Sequence, residues 1–243
     1  MAEIGHASTV VNESVVDGKD ESSSTKLPTL EFLSTGTQLH HRAERWHRPA
    51  TQPAGRQANR LKGGDTSHLH NDHAGGLEDL IAAAPDLPVY VSREHWKAFG
   101  EHPFFASMEG ATPNHWPKNF SPKIIDYEDR PVGPWKKSYP LTSDGKIVAV
   151  DTSGHVAGHL ALLVFGENGT GEATTYVLPG DATYGIDVLD KEEPDGINDD
   201  PVRALQSLRL IKEFARQTDV VVLPSHDTNT PRFLAEGVVY RPK

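Results

Sequence analysis

The apolar positions of this chain fall into short blocks separated by breaks containing Gly and Pro. Ile147-Val148-Ala149-Val150, Tyr176-Val177-Leu178 and Val220-Val221-Val222-Leu223 are continuous apolar runs rich in β-branched residues, the pattern of buried strands. Leu160–Phe165 and Thr174–Leu178 flank the Gly-rich stretch 166–171, which predicts a β-hairpin. Helical spacing takes over at Asp200, a helix N-cap type, followed by Pro201 at the first helical position. Val202, Leu205, Leu208, Ile211 and Phe214 then recur every third residue and predict one apolar stripe packed on a sheet. Upstream, Leu77–Ala84 reads as a short helix stopped by Pro85, Val89-Tyr90-Val91 as a strand, and the stretch around Arg93 to Phe99 as a second helix. Strands alternating with helices predict an α/β architecture.

Composition narrows the picture. At 243 residues, the chain fits one domain with one main core. Residues 1–26 are rich in Ser, Glu, Asp and Gly and poor in large apolar residues, so they are expected to be disordered, with the folded domain spanning 27–243. No basic segment leads into an apolar stretch there, and no run approaches the ~18 apolar residues of a membrane span. Absence of cysteine excludes disulfides and thiol catalysis and agrees with a cytoplasmic setting. A formal charge of −10 argues against a nucleic-acid surface. Arg42, Arg45, Arg48, Arg56 and Arg60, with His40, His41, His47 and Trp46, form a locally basic stretch. It reads either as a site for an anionic partner or as a solvated irregular segment.

The chemistry concentrates in Ser67-His68-Leu69-His70-Asn71-Asp72-His73-Ala74-Gly75-Gly76, three imidazoles and a carboxylate within six residues. In extended chain, residues i and i+2 point the same way, so His68 and His70 can grip one metal. Asp72 and His73 turn toward a second position, and imidazole with carboxylate suits Zn²⁺. A His-rich surface loop is the competing reading. The predicted strands add donors at their ends. His155 follows Ile147–Val150 between Gly154 and Gly158, Asp181 follows Tyr176–Leu178, and His226 follows Val220–Leu223. Loops held by a rigid sheet are where catalytic groups usually sit.

The order His-x-His-x-Asp-His, Gly-His, Gly-Asp, Ser-His over residues 67–235 resembles the metallo-β-lactamase superfamily. The resemblance implies an αββα sandwich, with one zinc on His68, His70 and His155, a second on Asp72, His73 and His226, and Asp181 bridging both. It further implies hydrolysis, a hydroxide shared by two zincs attacking a carbonyl. Asp181-Ala182-Thr183-Tyr184 is similar to the Asp-x-x-Tyr of the N-acyl-homoserine lactonase branch, and Leu30–Thr37 to its first strand. Tyr184 is then either a hydrogen-bond donor to the substrate or a packed aromatic, and His159 a supporting residue rather than a ligand. Asp72 or Asp181 would accept the proton released during ring opening. The substrate implied is a small-molecule lactone, or a related cyclic amide or carbamate, with neither nucleic acid nor membrane as partner.

One departure from the family pattern concerns the lead-in. Asn59-Arg60-Leu61-Lys62-Gly63-Gly64-Asp65-Thr66 contains no apolar run, so the usual central strand before the first histidine is not expected and the N-terminal sheet should be incomplete. The helix from Leu77 is expected to present its N-terminus to the metals, where its dipole tolerates Asp72. Residues 101–140 are weakly periodic, and Phe104, Phe105, Met108 and Trp116 read either as an apolar pocket wall or as a satellite core. The alternative activities are glyoxalase-II-like thioester hydrolysis and a truncated, inactive variant without an assembled metal site.

Overall fold

The computed structural model describes residues 64–168 and 171–243. The expected disordered segment 1–26, the early strand at 30–37 and the basic stretch at 40–60 lie outside the described residues.

Two sheets organise the fold. In the first, β1 (Gly64–Asp65), β2 (Val89–Ser92) and β3 (Lys123–Ile125) are all parallel, with β2 in the middle. The lead-in was not expected to supply the usual central strand, and its last residues pair Gly64 with Val89 and Asp65 with Tyr90 as an edge strand among the described residues. Backbone pairing needs no apolar side chain. The second sheet runs β4 (Tyr139–Pro140), β5 (Ile147–Asp151), β6 (Leu160–Glu167), β7 (Ala173–Leu178) and β8 (Val220–Val222) in spatial order. β6 and β7 form the expected antiparallel hairpin, while β8 returns parallel to β7 after a helical crossover.

Helices flank this pair of sheets. α1 (Asn71–Ala74) and α2 (Leu77–Ala83) follow β1. α3 (Arg93–His95) passes directly into a π turn at Trp96–Gly100, and α4 (Pro103–Met108) comes next. α5 (Ile186–Lys191), α6 (Pro201–Gln217) and α7 (Thr230–Glu236) belong to the C-terminal half. Ile125 of β3 packs with Ile147, Ala149, Leu160, Leu162 and Val221 between the sheets. Val148, Val150, Leu163 and Val177 face α6 on the far side of the larger sheet. Val89 and Val91 face Leu77, Phe99 and Ala106 on the outer side of the smaller one. The layers are thus helix, sheet, sheet, helix, as expected of an αββα sandwich.

α6 begins as its sequence predicts, with the Asp200 carboxylate accepting from the backbone N–H of Val202 and Arg203, both at 3.0 Å. Its packed face differs from the expected stripe. Val202 is 67% exposed, whereas Ala204, Ser207, Leu208, Ile211, Phe214 and Ala215 are buried. A three-residue spacing slips by about 60° per step around a 3.6-residue helix, so Val202 has rotated off the face centred on Leu208 and Ile211. Lys212 is buried as well, its Nζ donating to the Asp190 carbonyl at 2.9 Å and lying 3.1 Å from Glu192. Leu208→Ala should therefore cost about 2–5 kcal/mol in urea unfolding. Val202→Ala should stay within about 0.5 kcal/mol of the parent, and equal losses at both positions would refute this assignment of the packed face.

Candidate metal centre

The donor residues arrive from both sheets at one edge of the sandwich. His68 and His70 follow β1 in extended chain, and His70 caps α1 with φ −61° and ψ 152°. α1 then carries Asp72 in its first turn and His73 in its last. The expected neighbour of Asp72 was the helix from Leu77, but the helix that holds it is this one-turn element, too short to show a periodic pattern. After β5, residues 152–159 fold into a tight loop closed by Thr152 N–H donating to the His159 carbonyl at 3.0 Å, and His155 lies within it. Asp181 follows β7 after Pro179 and Gly180. Gly180 has φ +54°, and a Cβ there would sit 2.7 Å from Ser67 Cβ and 2.8 Å from His159 Nε2, so only glycine lets β7 approach the histidine loop this closely. His226 follows β8, its loop fixed by the Asp227 carboxylate accepting from Ile186 N–H at 3.2 Å.

These seven side chains form two adjoining groups, His68, His70 and His155 in one, Asp72, His73, Asp181 and His226 in the other. In the first, His70 Nδ1 lies 2.9 Å from His68 Nε2 and 3.2 Å from His155 Nε2. In the second, His73 Nε2 is 2.9 Å from Asp181 Oδ1, and His226 Nε2 is 3.2 Å from Asp181 Oδ2 and 3.5 Å from Asp72 Oδ2. Asp181 Oδ2 also stands 3.7 Å from His155 Nε2, so this one carboxylate touches both groups. Whether a cation fits can be judged from the orphaned atoms. His73 Nε2 and Asp181 Oδ1 are buried and make no hydrogen bond despite their 2.9 Å separation. A metal ion held between them would satisfy both atoms.

The electrostatics agree with ligand duty. Burial, reinforced by neighbouring imidazoles, holds His68 well below the ordinary histidine range and His70 down at about 3, so both rings offer bare lone pairs at neutral pH. For Asp181, burial favours the protonated acid, but His73 and the hydrogen bond from His226 outweigh it and keep the carboxyl well below its usual range. His226 is shifted upward by its hydrogen bond to Asp181 against the opposing effect of burial. Tyr184, with its ring 4.8 Å from that of His226 and 6.2 Å from that of His155, is pushed upward by burial and by the Asp181 charge. Its hydroxyl therefore keeps its proton and can donate.

Several residues at the site carried no signal in the sequence. Ser67 Oγ lies 3.0 Å from His68 Nδ1 and 3.4 Å from His73 Nδ1, touching both donor groups. Asp195 Oδ2 is 3.4 Å from His155 Nδ1, brought there by an aperiodic polar loop. His159, unlike these, was expected as a supporting residue, and its Nε2 accepts from Asp181 N–H at 3.0 Å while Thr152 Oγ1 lies 2.9 Å from its Nδ1. Trp116 joins Trp96 and Phe120 in the satellite core around Val91. Phe104, Phe105 and Met108 do not, being 72%, 62% and 72% exposed on α4.

Residues 66–226 match the Metallo-beta-lactamase superfamily. N-acyl homoserine lactonase AttM of Rhizobium radiobacter is 26% identical over 161 residues, 66% of this chain and 56% of the relative. An N-acyl homoserine lactonase of a Bacillus species is 29% identical over 169 residues, 69% of this chain and 56% of the relative. The chain thus spans little more than half the length of the curated relatives it matches. Among solved structures, an N-acyl homoserine lactone hydrolase with the product N-hexanoyl-L-homoserine at its catalytic metal centre superposes with a TM-score of 0.53 at 23% identity, covering 72% of this chain and 60% of that one.

Burying neutral imidazoles has a consequence for stability. His70 titrates at about 3 and His95 at about 4 in the fold, both lowered first by burial, against about 6.5 when unfolded. Between those values the unfolded chain binds more protons, so stability is full above about pH 6.5 and is lost as the pH falls toward 4. Metal-stripped protein should lose about 1.4 kcal/mol per pH unit for each such histidine over this window. Thermal melts between pH 7 and pH 4.5 measure it, and a flat melting temperature would contradict the buried, neutral assignment.

Proposed function

Because the chain belongs to the metallo-β-lactamase superfamily, we propose that it is a metal-dependent hydrolase that opens a lactone ring. In this reading His68, His70 and His155 hold one zinc ion, Asp72, His73 and His226 hold a second, and Asp181 is shared between them. The observation that carries it is the Asp181 carboxylate, 98% buried yet within 3.7 Å of donors from both groups. A pair of zinc ions so held supplies a nucleophilic water at neutral pH and a Lewis acid for a carbonyl.

The chain's own residues supply the rest. The Tyr184 hydroxyl, kept protonated by burial and Asp181, donates to the carbonyl or leaving oxygen. Asp181 is buried with Oδ2 held by His226, whereas the Asp72 side chain keeps 13% of its surface open and is the better placed proton acceptor. Next to the site, Asn71 N–H donates to the Gly110 carbonyl at 3.0 Å, which seats the end of α4 against His70. Phe104, Phe105 and Met108 on that helix give an exposed apolar surface where the tail of an acyl-lactone can lie. The N-acyl homoserine lactonase relatives support this substrate class.

Elemental mass spectrometry of purified protein should find about two zinc ions per chain, with turnover of N-acyl lactones. Asp181→Asn should lower both metal content and kcat/KM, the latter by about a hundredfold or more. Tyr184→Phe should lower kcat by about tenfold to a hundredfold at unchanged metal content. Full activity in Asp181→Asn would refute the shared-carboxylate reading, and metal-loaded protein inert toward every lactone would refute the substrate class. For the acyl tail, Phe104→Ser with Met108→Ser should raise KM for long-chain lactones while short-chain substrates keep theirs. An equal effect on both chain lengths would remove these side chains from substrate binding.

A further inference from the structure

His95 ends α3, is fully buried, and belongs to neither donor group. Its ring nevertheless reaches both histidine loops. Leu69 N–H donates to His95 Nε2 at 2.8 Å, and His95 Nδ1 lies 2.9 Å from the Ala157 carbonyl. A backbone N–H can only donate and a carbonyl can only accept, so Nε2 must be bare and Nδ1 must carry the hydrogen. Leu69 is the residue between His68 and His70, and Ala157 is midway between His155 and His159. One imidazole therefore ties together the midpoints of the two loops that carry the first donor group.

The ring is itself immobilised. Phe99 stacks on it with centroids 4.4 Å apart and planes 30° apart. His95 N–H donates to Ser92 Oγ at 3.2 Å, and the Ser92 hydroxyl donates to the Gly158 carbonyl. Gly158 has φ +68°, and a Cβ there would stand 2.3 Å from His95 N, so the histidine loop lies directly on the start of α3. Among the described residues, the loop before His70 is also anchored through β1 and Ser67. β1 offers two paired residues, and beyond it the Ser67 carbonyl accepts from Leu160 N–H at 3.1 Å.

We propose that His95, as a neutral Nδ1–H imidazole bridging Leu69 and Ala157, is a positioning residue that sets the spacing of His68 and His70 from His155 for metal binding. The proposal rests on the reading that those three imidazoles hold metal, and two measurements keep it separable from that reading. Long-range proton–nitrogen NMR of the imidazoles at pH 7, on the full chain, should show His95 with Nδ1 protonated and Nε2 bare. An Nε2–H or doubly protonated ring would overturn the bridge whether or not the protein binds metal.

The second measurement is zinc affinity by competition with a chromophoric chelator. His95→Leu fills the volume but makes neither bond, and should weaken zinc binding by about tenfold to a hundredfold. His95→Gln keeps an acceptor within reach of Leu69 N–H and should recover most of that loss. A folded His95→Leu protein that binds zinc as tightly as the parent would overturn the proposal, as would a Gln variant no better than Leu. Should the Leu variant fail to fold, the comparison of His95→Asn, which keeps only the donor toward Ala157, with His95→Gln and the parent decides: undiminished affinity in both variants overturns the bridge. A parent protein that takes up no zinc would overturn the metal-centre reading, and the ring NMR would still decide the bridge.

Discussion

Concentrating lone pairs away from water is the constraint on which this structure turns. His68, His73, His155 and Asp181 are nearly inaccessible, and their donor atoms face one another across 2.9–3.7 Å. Water cannot solvate them there, and protonating His68 and His70 is opposed by burial and by the neighbouring imidazoles. Such a cluster costs stability unless something positive satisfies it. The fold accepts that cost at one edge of the sandwich and offsets it in the three apolar layers, where Leu163, Val177, Leu208 and Ile211 are completely buried.

The two sheets contribute unequally. β5, β6, β7 and β8 make a continuous ladder of up to six paired residues per strand pair, buried on both faces. His155, Asp181 and His226 hang from its strand ends, a rigid frame for three donors. His68, His70, Asp72 and His73 follow β1 of the smaller sheet. Among the described residues their loop is tied to the opposite half through Ser67 to Leu160 and through Leu69 and His95 to Ala157.

How much of this could be read from the sequence follows from the range of each interaction. β5, β7 and β8 were legible because β-branched runs encode burial locally, and so was the start of α6, because Asp200 and Pro201 act on the next turn. The packed face of α6 was not, since residues spaced by three drift out of phase and Val202 ends in solvent. The donor residues were legible as residue types at close spacing, and the structure brings all seven together with Tyr184 beside them. His95 and Asp195 were silent. Their partners lie 26 and 62 residues away for His95, and in an aperiodic loop for Asp195, so no local pattern announces them. The edge pairing of β1 carried no sequence signal, because it is backbone chemistry that side-chain composition does not reveal.

This asymmetry bears on what metal does for the fold. Donors from the loop after β1 and from the larger sheet meet at the site, with His68 and His70 against His155, and His73 against Asp181. Outside it, the halves share the apolar layer around Ile125, Leu160 and Leu162. An ion drawing on both sets of donors would therefore cross-link the two sheets, and its binding free energy would add to folding wherever the unfolded chain holds no preformed site. The larger sheet can stand on its apolar burial. The loop from Thr66 to His73 has little apolar surface of its own beyond Leu69, so its order depends on hydrogen bonds through His95 and Ser67 and on the ligands it presents. For this loop, the site and the scaffold are largely the same set of contacts.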